Sequence, residues 1–363
     1  MVVNSVVLKR TFDLHKEEYE AAALRALNSG WFILGNEMEE FEKEFAVWAG
    51  VKHCVALNSG TDALILAFRA LGIGQGDEVI VPANAYIASV LGVTENGAIP
   101  VFIDVDESME IDVERIEEKI TDKVKAILPV HLYGQSNKMD KIVELAQKYG
   151  LKIVEDCAQC HGSTFHEKLT GTFGAIGCFS FYPTKPLGAF GDAGAVITND
   201  DALAEKVRLL RNYGSKVKYC NEIRGVNSRM DEVQAAVLKV GLKYLDKGNV
   251  ERQRQAQMYM EGIKNEKVII PPVYEGVSHV YHLFPVLVAD RKEFQDYLKE
   301  NGVNTQVHYP IPPYVAKCYK EWGYQWSDFP NAARYARQEV SLPIYAGLPD
   351  EELRYVIEVI NGW

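Results

Sequence analysis

The stretch CFSFYPTKPLGAFGDAGAVIT sets one lysine, Lys185, in a turn between two β-rich runs. A lysine amine becomes a nucleophile when burial or neighbouring charge lowers its pKa, and it then condenses with an aldehyde to a Schiff base. Taken alone a lysine is far more often a solvated surface residue. Four other segments, however, carry the residue types that would complete a site for pyridoxal phosphate, the usual aldehyde. Asn58, Ser59, Gly60 and Thr61 close a strand and open a helix, so backbone N–H groups and two hydroxyls face whatever lies at the helix N-terminus. Phosphate suits that position, and the plain alternative is an ordinary N-cap. Ser180 can add another hydroxyl to the same phosphate. Asp156 ends the apolar run LKIVED, and in open parallel sheets the carboxyl ends of strands line the ligand crevice. A carboxylate there can pair with a pyridine nitrogen and keep it protonated. Gln159 is placed to hydrogen-bond the ring hydroxyl, and Tyr86, in VPANAYIAS, offers a ring that can stack on the cofactor. The plain readings are a solvated or capping carboxylate and a packed tyrosine.

These residues need elements to position them, and the first two-thirds of the 363-residue chain supplies alternating strand and helix patterns. Strands are expected at 53–57, 78–81, 100–104, 126–130, 152–155, 178–181 and 195–198. Helices are expected between them, including 61–71, 138–149 stopped by Gly150, and 202–212 stopped by Gly214. The pattern predicts an α/β large domain with a mostly parallel seven-stranded sheet over 1–240, and a smaller α+β domain over 241–363. A long helix at about 230–264 links them. In the smaller domain, strands are expected near 281–288 and 303–309, and helices near 291–301 and 350–360.

Asp and Glu total 50 against 39 Lys and Arg, a net charge of −11, which disfavours nucleic acid or an anionic membrane as the main partner. No signal-peptide pattern or membrane-length apolar run is visible, so a cytoplasmic setting is expected. Six cysteines lie in periodic segments and read as small buried hydrophobes. Cys157, Cys160 and His161 match the spacing of a c-type haem attachment site, but haem attachment needs export, so two buried thiols are expected there. No metal site is expected.

The segments NSGTDAL, VPANAYIAS, VEDCAQCHG, FSFYPTKPLGAFGDAGAV and GVNSRMDEVQAAVL together resemble the DegT/DnrJ/EryC1/StrS aminotransferases. That resemblance implies the fold-type I, aspartate aminotransferase-like architecture, pyridoxal 5'-phosphate, and a homodimer with active sites at the subunit interface. It implies that Lys185 holds the cofactor covalently, Asp156 contacts its ring nitrogen and Gln159 its ring oxygen. Ser59, Gly60, Thr61 and Ser180 would hold the phosphate, Tyr86 would stack on the ring, and Asn227 would reach the phosphate from the partner subunit. Pro186 stands where asparagine is commoner, which affects how the lysine is presented. A lysine rather than a histidine at 185 favours amino transfer over sugar dehydration within the family.

On the substrate side, QVHYPIPPY resembles the segment of members acting on 3-keto sugars. His308 and Tyr309, with Tyr182 near the lysine, are the expected sugar contacts. Arg211 and Arg229 read either as anion-neutralising groups or as salt-bridged helix residues. The resemblance implies transfer of an amino group, from glutamate, to a nucleotide-linked keto-sugar, with a dTDP-linked 3-keto-6-deoxyhexose as the best-matching acceptor. The alternatives are a 4-keto-sugar or cyclitol aminotransferase and, more remotely, a non-catalytic regulatory or sensor protein on the same scaffold.

Overall fold

The computed structural model describes residues 1–363. Seven short strands whose residues are almost all buried form the central sheet: β1 (His53–Leu57), β2 (Glu78–Pro82), β3 (Ile99–Ile103), β4 (Val124–Ile127), β5 (Lys152–Asp156), β6 (Ile176–Ser180) and β7 (Gly194–Thr198). Apolar runs without polar alternation are what a sheet covered on both faces requires. The spatial order is β1-β7-β6-β5-β4-β2-β3. All neighbours are parallel except β7, which pairs antiparallel with both β1 and β6.

Helices flank the sheet: α1 (Lys16–Ser29), α2 (Asn36–Ala49), α3 (Gly60–Leu71), α4 (Ile87–Thr94), α5 (Met139–Tyr149) and α6 (Asp201–Leu210). α3 shows why the sequence folds this way locally. Ser59 caps it by accepting from the Asp62 N–H at 3.1 Å, and Gly72 closes it in a left-handed conformation at φ 77°. Between these ends Leu64, Leu66 and Phe68 are buried against the sheet, each worth about 1.5–3 kcal/mol. α6 stops at Leu210, two residues before the expected end. Its last turn is fixed by Arg211, whose Nη1 donates to the Ala56 carbonyl at 2.8 Å and to Glu42 at 2.5 Å.

α7 (Glu232–Gly262) runs for 31 residues through two cores. Ala235, Leu238 and Leu245 pack with the sheet's cluster, whereas Ala256 and Tyr259 pack with a second cluster that includes Phe284, Phe294 and Leu353. The second cluster is built on an antiparallel pair, β8 (Phe284–Leu287) and β9 (Glu339–Leu342), with α8 (Arg291–Glu300) and α10 (Asp350–Asn361), while α9 (Pro330–Gln338) packs Ala332 and Tyr335 into a cluster of the central sheet. The expected strand at 303–309 does not form; only bridges at Val303 and Gln306 appear. The His308 N–H, which a strand would spend on the ladder, donates instead to the Glu339 carboxylate at 2.7 Å. No helix is long and apolar enough to cross a membrane.

All six cysteines are free. Cys54, Cys157, Cys160 and Cys178 are buried, as expected, but Cys220 and Cys318 are exposed.

Candidate active site

The expected cofactor residues converge at the carboxyl ends of β1, β5 and β6. Asp156 is the last residue of β5, and Ser180 the last of the neighbouring β6. Ser59 and Gly60 lie at the N-terminus of α3, and contacts without room for a side chain press this turn onto the sheet. A Cβ on Gly60 would sit 2.5 Å from the Ser180 Cβ, and one on Gly194 would sit 2.3 Å from the Ser59 carbonyl. The result is a cradle of helix N-terminus, Ser59, Thr61 and Ser180, the donor chemistry that a phosphate takes.

Lys185 is presented by a turn in which its N–H donates to the Tyr182 carbonyl at 2.8 Å, with Pro183 at the second position. Its side chain is half-buried. Burial pushes its pKa down to about 8, and Asp156 opposes the shift. The free amine fraction at pH 7 is then about 9%, against about 0.03% for an ordinary lysine. Capture of pyridoxal phosphate by the cofactor-free protein is therefore expected to speed up with pH and level off a little above pH 8. A rate still climbing at pH 10 would contradict the lowered pKa.

Asp156 is buried, which raises its pKa, while four neighbours, His131 among them, partly oppose the shift. Ser89 Oγ donates to Oδ2 at 2.7 Å, the Ala158 N–H donates to Oδ1 at 3.1 Å, and Lys185 contributes positive charge. Gln159 has its orientation fixed: the Tyr133 N–H donates to Oε1 at 2.6 Å, so Nε2 must be the end that reaches the Tyr309 hydroxyl, at 3.0 Å. One Nε2 hydrogen is left over for a ring oxygen. Tyr86 is 47% exposed, and its ring lies 4.6 Å from that of Tyr309. Together these residues fit a phosphate-bearing pyridine aldehyde: an amine, a buried carboxylate with two hydrogen-bond donors, an oriented amide donor, a flat aromatic face and an anion cradle.

A cavity of about 620 Å³ adjoins this crevice, and Lys185 belongs to both. His282, His308, Ser341 and Arg252 line it, but Asp156, Ser59 and Tyr86 do not. Burial, reinforced by the Lys185 charge, pushes His308 down to about 4 and lowers His282. Arg252 is buried, donates to Asn249 at 3.1 Å, and has no carboxylate partner. Arg252 and Lys185 give this part of the cavity wall positive charge, which favours an anionic group beside them.

The remaining expected residues fall elsewhere. Arg211 is buried and pairs with Glu42. Arg229 donates to Asn212 at 3.0 Å and lies against the Tyr213 ring. Asn227 is exposed and pairs through its backbone with Asn212. Its neighbour Ser228 bonds to Asp62 and Asn58, which places this segment beside the α3 N-terminus. Tyr182 is 52% exposed at the lysine turn.

Sequence reasoning missed Ser89, although it stands one helical turn after Tyr86 in the motif that drew attention to that tyrosine. It also missed Tyr133, Arg252, His282, Glu339 and Ser341, which only tertiary pairing brings to the site. One buried group imitates a metal centre: ligand atoms of His131, Glu155 and Cys157 lie within 4.8 Å of one another. Glu155 and His131 already spend their ligand atoms on hydrogen bonds. Glu155 accepts from the N–H groups of Gly171, Phe173 and Gly174 at 2.7–2.8 Å and from His131 Nε2 at 3.2 Å, and His131 Nδ1 accepts from Asn137. The set is a structural clamp on the loop before β6.

The chain is similar to known proteins over nearly its whole length. Residues 13–361 match the model of the DegT/DnrJ/EryC1/StrS aminotransferase family. The chain is 49% identical to the dTDP-3-amino-3,6-dideoxy-alpha-D-galactopyranose transaminase of Aneurinibacillus thermoaerophilus, over 96% of each chain. It superposes with a TM-score of 0.98 on S. venezuelae DesV in complex with a ketimine intermediate, at 43% identity over 100% of this chain and 98% of that one. It also superposes on the Bacillus subtilis protein ntda with bound cofactor PMP, with a TM-score of 0.89 and 33% identity, over 99% of this chain and 85% of that one. The chain belongs to the DegT/DnrJ/EryC1/StrS aminotransferase family.

Proposed function

We propose that this protein uses pyridoxal phosphate to move an amino group from glutamate to a nucleotide-linked keto-sugar, with a dTDP-linked 3-keto-6-deoxyhexose as acceptor. The observation that carries the reading is the meeting of Lys185, an amine pushed down to about 8, with the buried Asp156 beside the α3 anion cradle. The 49% identical transaminase supports the choice of sugar.

In this reading Lys185 would hold the cofactor, with Asp156 for its ring nitrogen, Gln159 Nε2 for its ring oxygen and Tyr86 for its aromatic face. Ser59, Gly60, Thr61 and Ser180 hold its phosphate. When bound, the cofactor supplies an electron sink for the carbanion at the donor's α-carbon. The chain's own residues do the rest. Lys185 Nζ, its pKa lowered to about 8, would be the base that takes the proton from the donor's α-carbon and the acid that returns one to the sugar carbon receiving nitrogen. Asp156, which accepts from Ser89 Oγ and the Ala158 N–H, would favour the positive charge on the ring nitrogen. The cavity beside Lys185 and Arg252 would receive the anionic donor and sugar nucleotide, with Tyr182, His308 and Tyr309 contacting the sugar.

The site is completed in a cytoplasmic homodimer, Asn227 reaching the partner's phosphate cradle. Exposed Trp31, Phe32 and Tyr213 surround the segment that carries Asn227, as the Ile33–Asp231 bridge and the Tyr213–Arg229 contact place them, and such a patch favours a partner surface. A mixed dimer of Lys185→Ala and Asn227→Ala subunits is expected to regain activity that each variant lacks by itself, because one site then has both residues. No recovery would assign Asn227 to its own chain's site.

Amino transfer from glutamate, assayed against 3-keto and 4-keto nucleotide sugars, tests the substrate. The 3-keto acceptor is expected to lead by about 100-fold or more in kcat/KM. Activity confined to 4-keto acceptors would overturn the choice. A colourless protein that binds sugar nucleotides but takes up no pyridoxal phosphate would favour a regulatory role.

A further inference from the structure

The Glu339 carboxyl, at the start of β9, is buried with both oxygens engaged. Oε2 accepts from the His308 N–H at 2.7 Å, and Oε1 lies 2.5 Å from the Ser341 hydroxyl. Ser341 Oγ lies in turn 2.8 Å from His308 Nδ1. Residues 339 and 341 share one face of β9, and the Gln306–Ser341 bridge brings the His308 segment alongside. His308 and Ser341 both line the cavity that Lys185 lines.

A serine hydroxyl has one proton, so the direction of one bond in this chain dictates the direction of the next. When the Glu339 carboxyl is ionised it can only accept. Ser341 must then donate to it, which leaves Oγ to accept from Nδ1–H and makes His308 Nε2 a bare acceptor. When the carboxyl is protonated it donates to Ser341, Ser341 donates to Nδ1, and the ring carries its proton on Nε2 as a donor. His308 itself stays neutral, because burial and the Lys185 charge hold it down to about 4. The tautomer is therefore its one variable near neutral pH.

We propose that Glu339 and Ser341 are positioning residues for His308, a proton wire that decides whether the ring meets the sugar substrate as hydrogen-bond donor or acceptor. The wire stands on its own geometry, and only the naming of the sugar rests on the function proposed above. A carbonyl or phosphoryl oxygen accepts but cannot donate, so the donor setting is the productive one for a keto-sugar nucleotide. Burial pushes Glu339 up to about 8, against Ser341, His308 N–H and Arg291. The donor setting therefore holds at neutral pH and reverses above it. The other groups around the wire are Tyr133, whose hydroxyl donates to the His308 carbonyl at 2.5 Å, Tyr309, His282 and Lys185. Of these, Lys185 also titrates near 8, so the test must move Glu339 alone.

Holoenzyme labelled with ¹⁵N-histidine provides that test, with a His308→Gln spectrum identifying the resonance and the two ring-nitrogen shifts reporting the tautomer. The wild type is expected to pass from Nε2–H to Nδ1–H as pH rises through about 8. Glu339→Gln, whose amide can donate to Ser341, should hold Nε2–H throughout, and Ser341→Ala should uncouple the ring from pH. The KM for the sugar should rise above pH 8 in the wild type and stay flat in Glu339→Gln, while the pH dependence of the glutamate half-reaction is the same in both. One tautomer at every pH in the wild type, or a transition that survives Glu339→Gln, overturns the wire. A tautomer change that the sugar KM ignores overturns the contact between His308 and the sugar. An absent glutamate half-reaction overturns the transaminase reading instead.

Discussion

Lys185→Ala is expected to lower amino transfer by about 10⁴-fold or more, because the same side chain anchors the cofactor and carries the proton at the reacting carbon. The loss should fall on kcat, since the phosphate cradle and the cavity wall keep their residues. Stability should move the other way. The lysine pKa drops from 10.5 to about 8 on folding, so between these values the unfolded chain binds more protons than the folded one. The lysine therefore destabilises the cofactor-free protein fully below pH 8, and the penalty fades as pH rises towards 10.5. Cofactor-free Lys185→Ala is thus expected to melt at or above the wild type at pH 7, with the advantage vanishing by about pH 10.5. A variant that melts well below the wild type at pH 7 would give the lysine a structural role.

Asp156→Asn is the second large effect, with turnover expected to fall by about 10²–10⁴-fold. The substitution is nearly isosteric, and the asparagine oxygen can still accept from Ser89 or Ala158, so the loss reports charge rather than shape. A second readout separates this from simple damage. Asp156 raises the Lys185 pKa against burial, so its neutralisation should move the midpoint of cofactor capture to lower pH. An unchanged midpoint together with full activity would show that the carboxylate does not face the lysine and ring as argued.

The parts of this site that the sequence made legible share one property: they sit where a strand ends and a short motif begins. β5 ends on Asp156 and β1 runs into Ser59, so apolar runs followed by turn residues located both before any contact was known. The seven-stranded sheet was legible for the same reason, since fully buried strands flanked by capped helices leave an unambiguous pattern. The segment 303–309 was misread because its alternation is genuine while its hydrogen bonds are not those of a strand; the Glu339 carboxylate, 31 residues away, takes the N–H of His308. Arg211 left two readings open that only its buried contact with Glu42 resolves. Ser89, Tyr133 and Ser341 gain their meaning from partners 67, 26 and 33 residues distant, and no local pattern encodes such pairings.

Reduction of the purified protein with borohydride, followed by digestion and peptide mass mapping, tests the central claim most directly. A reduced pyridoxyl phosphate adduct on Lys185, in the peptide containing FYPTKPLG, is the predicted result. An adduct on another lysine, or none in protein that has been supplied with pyridoxal phosphate, would contradict the account.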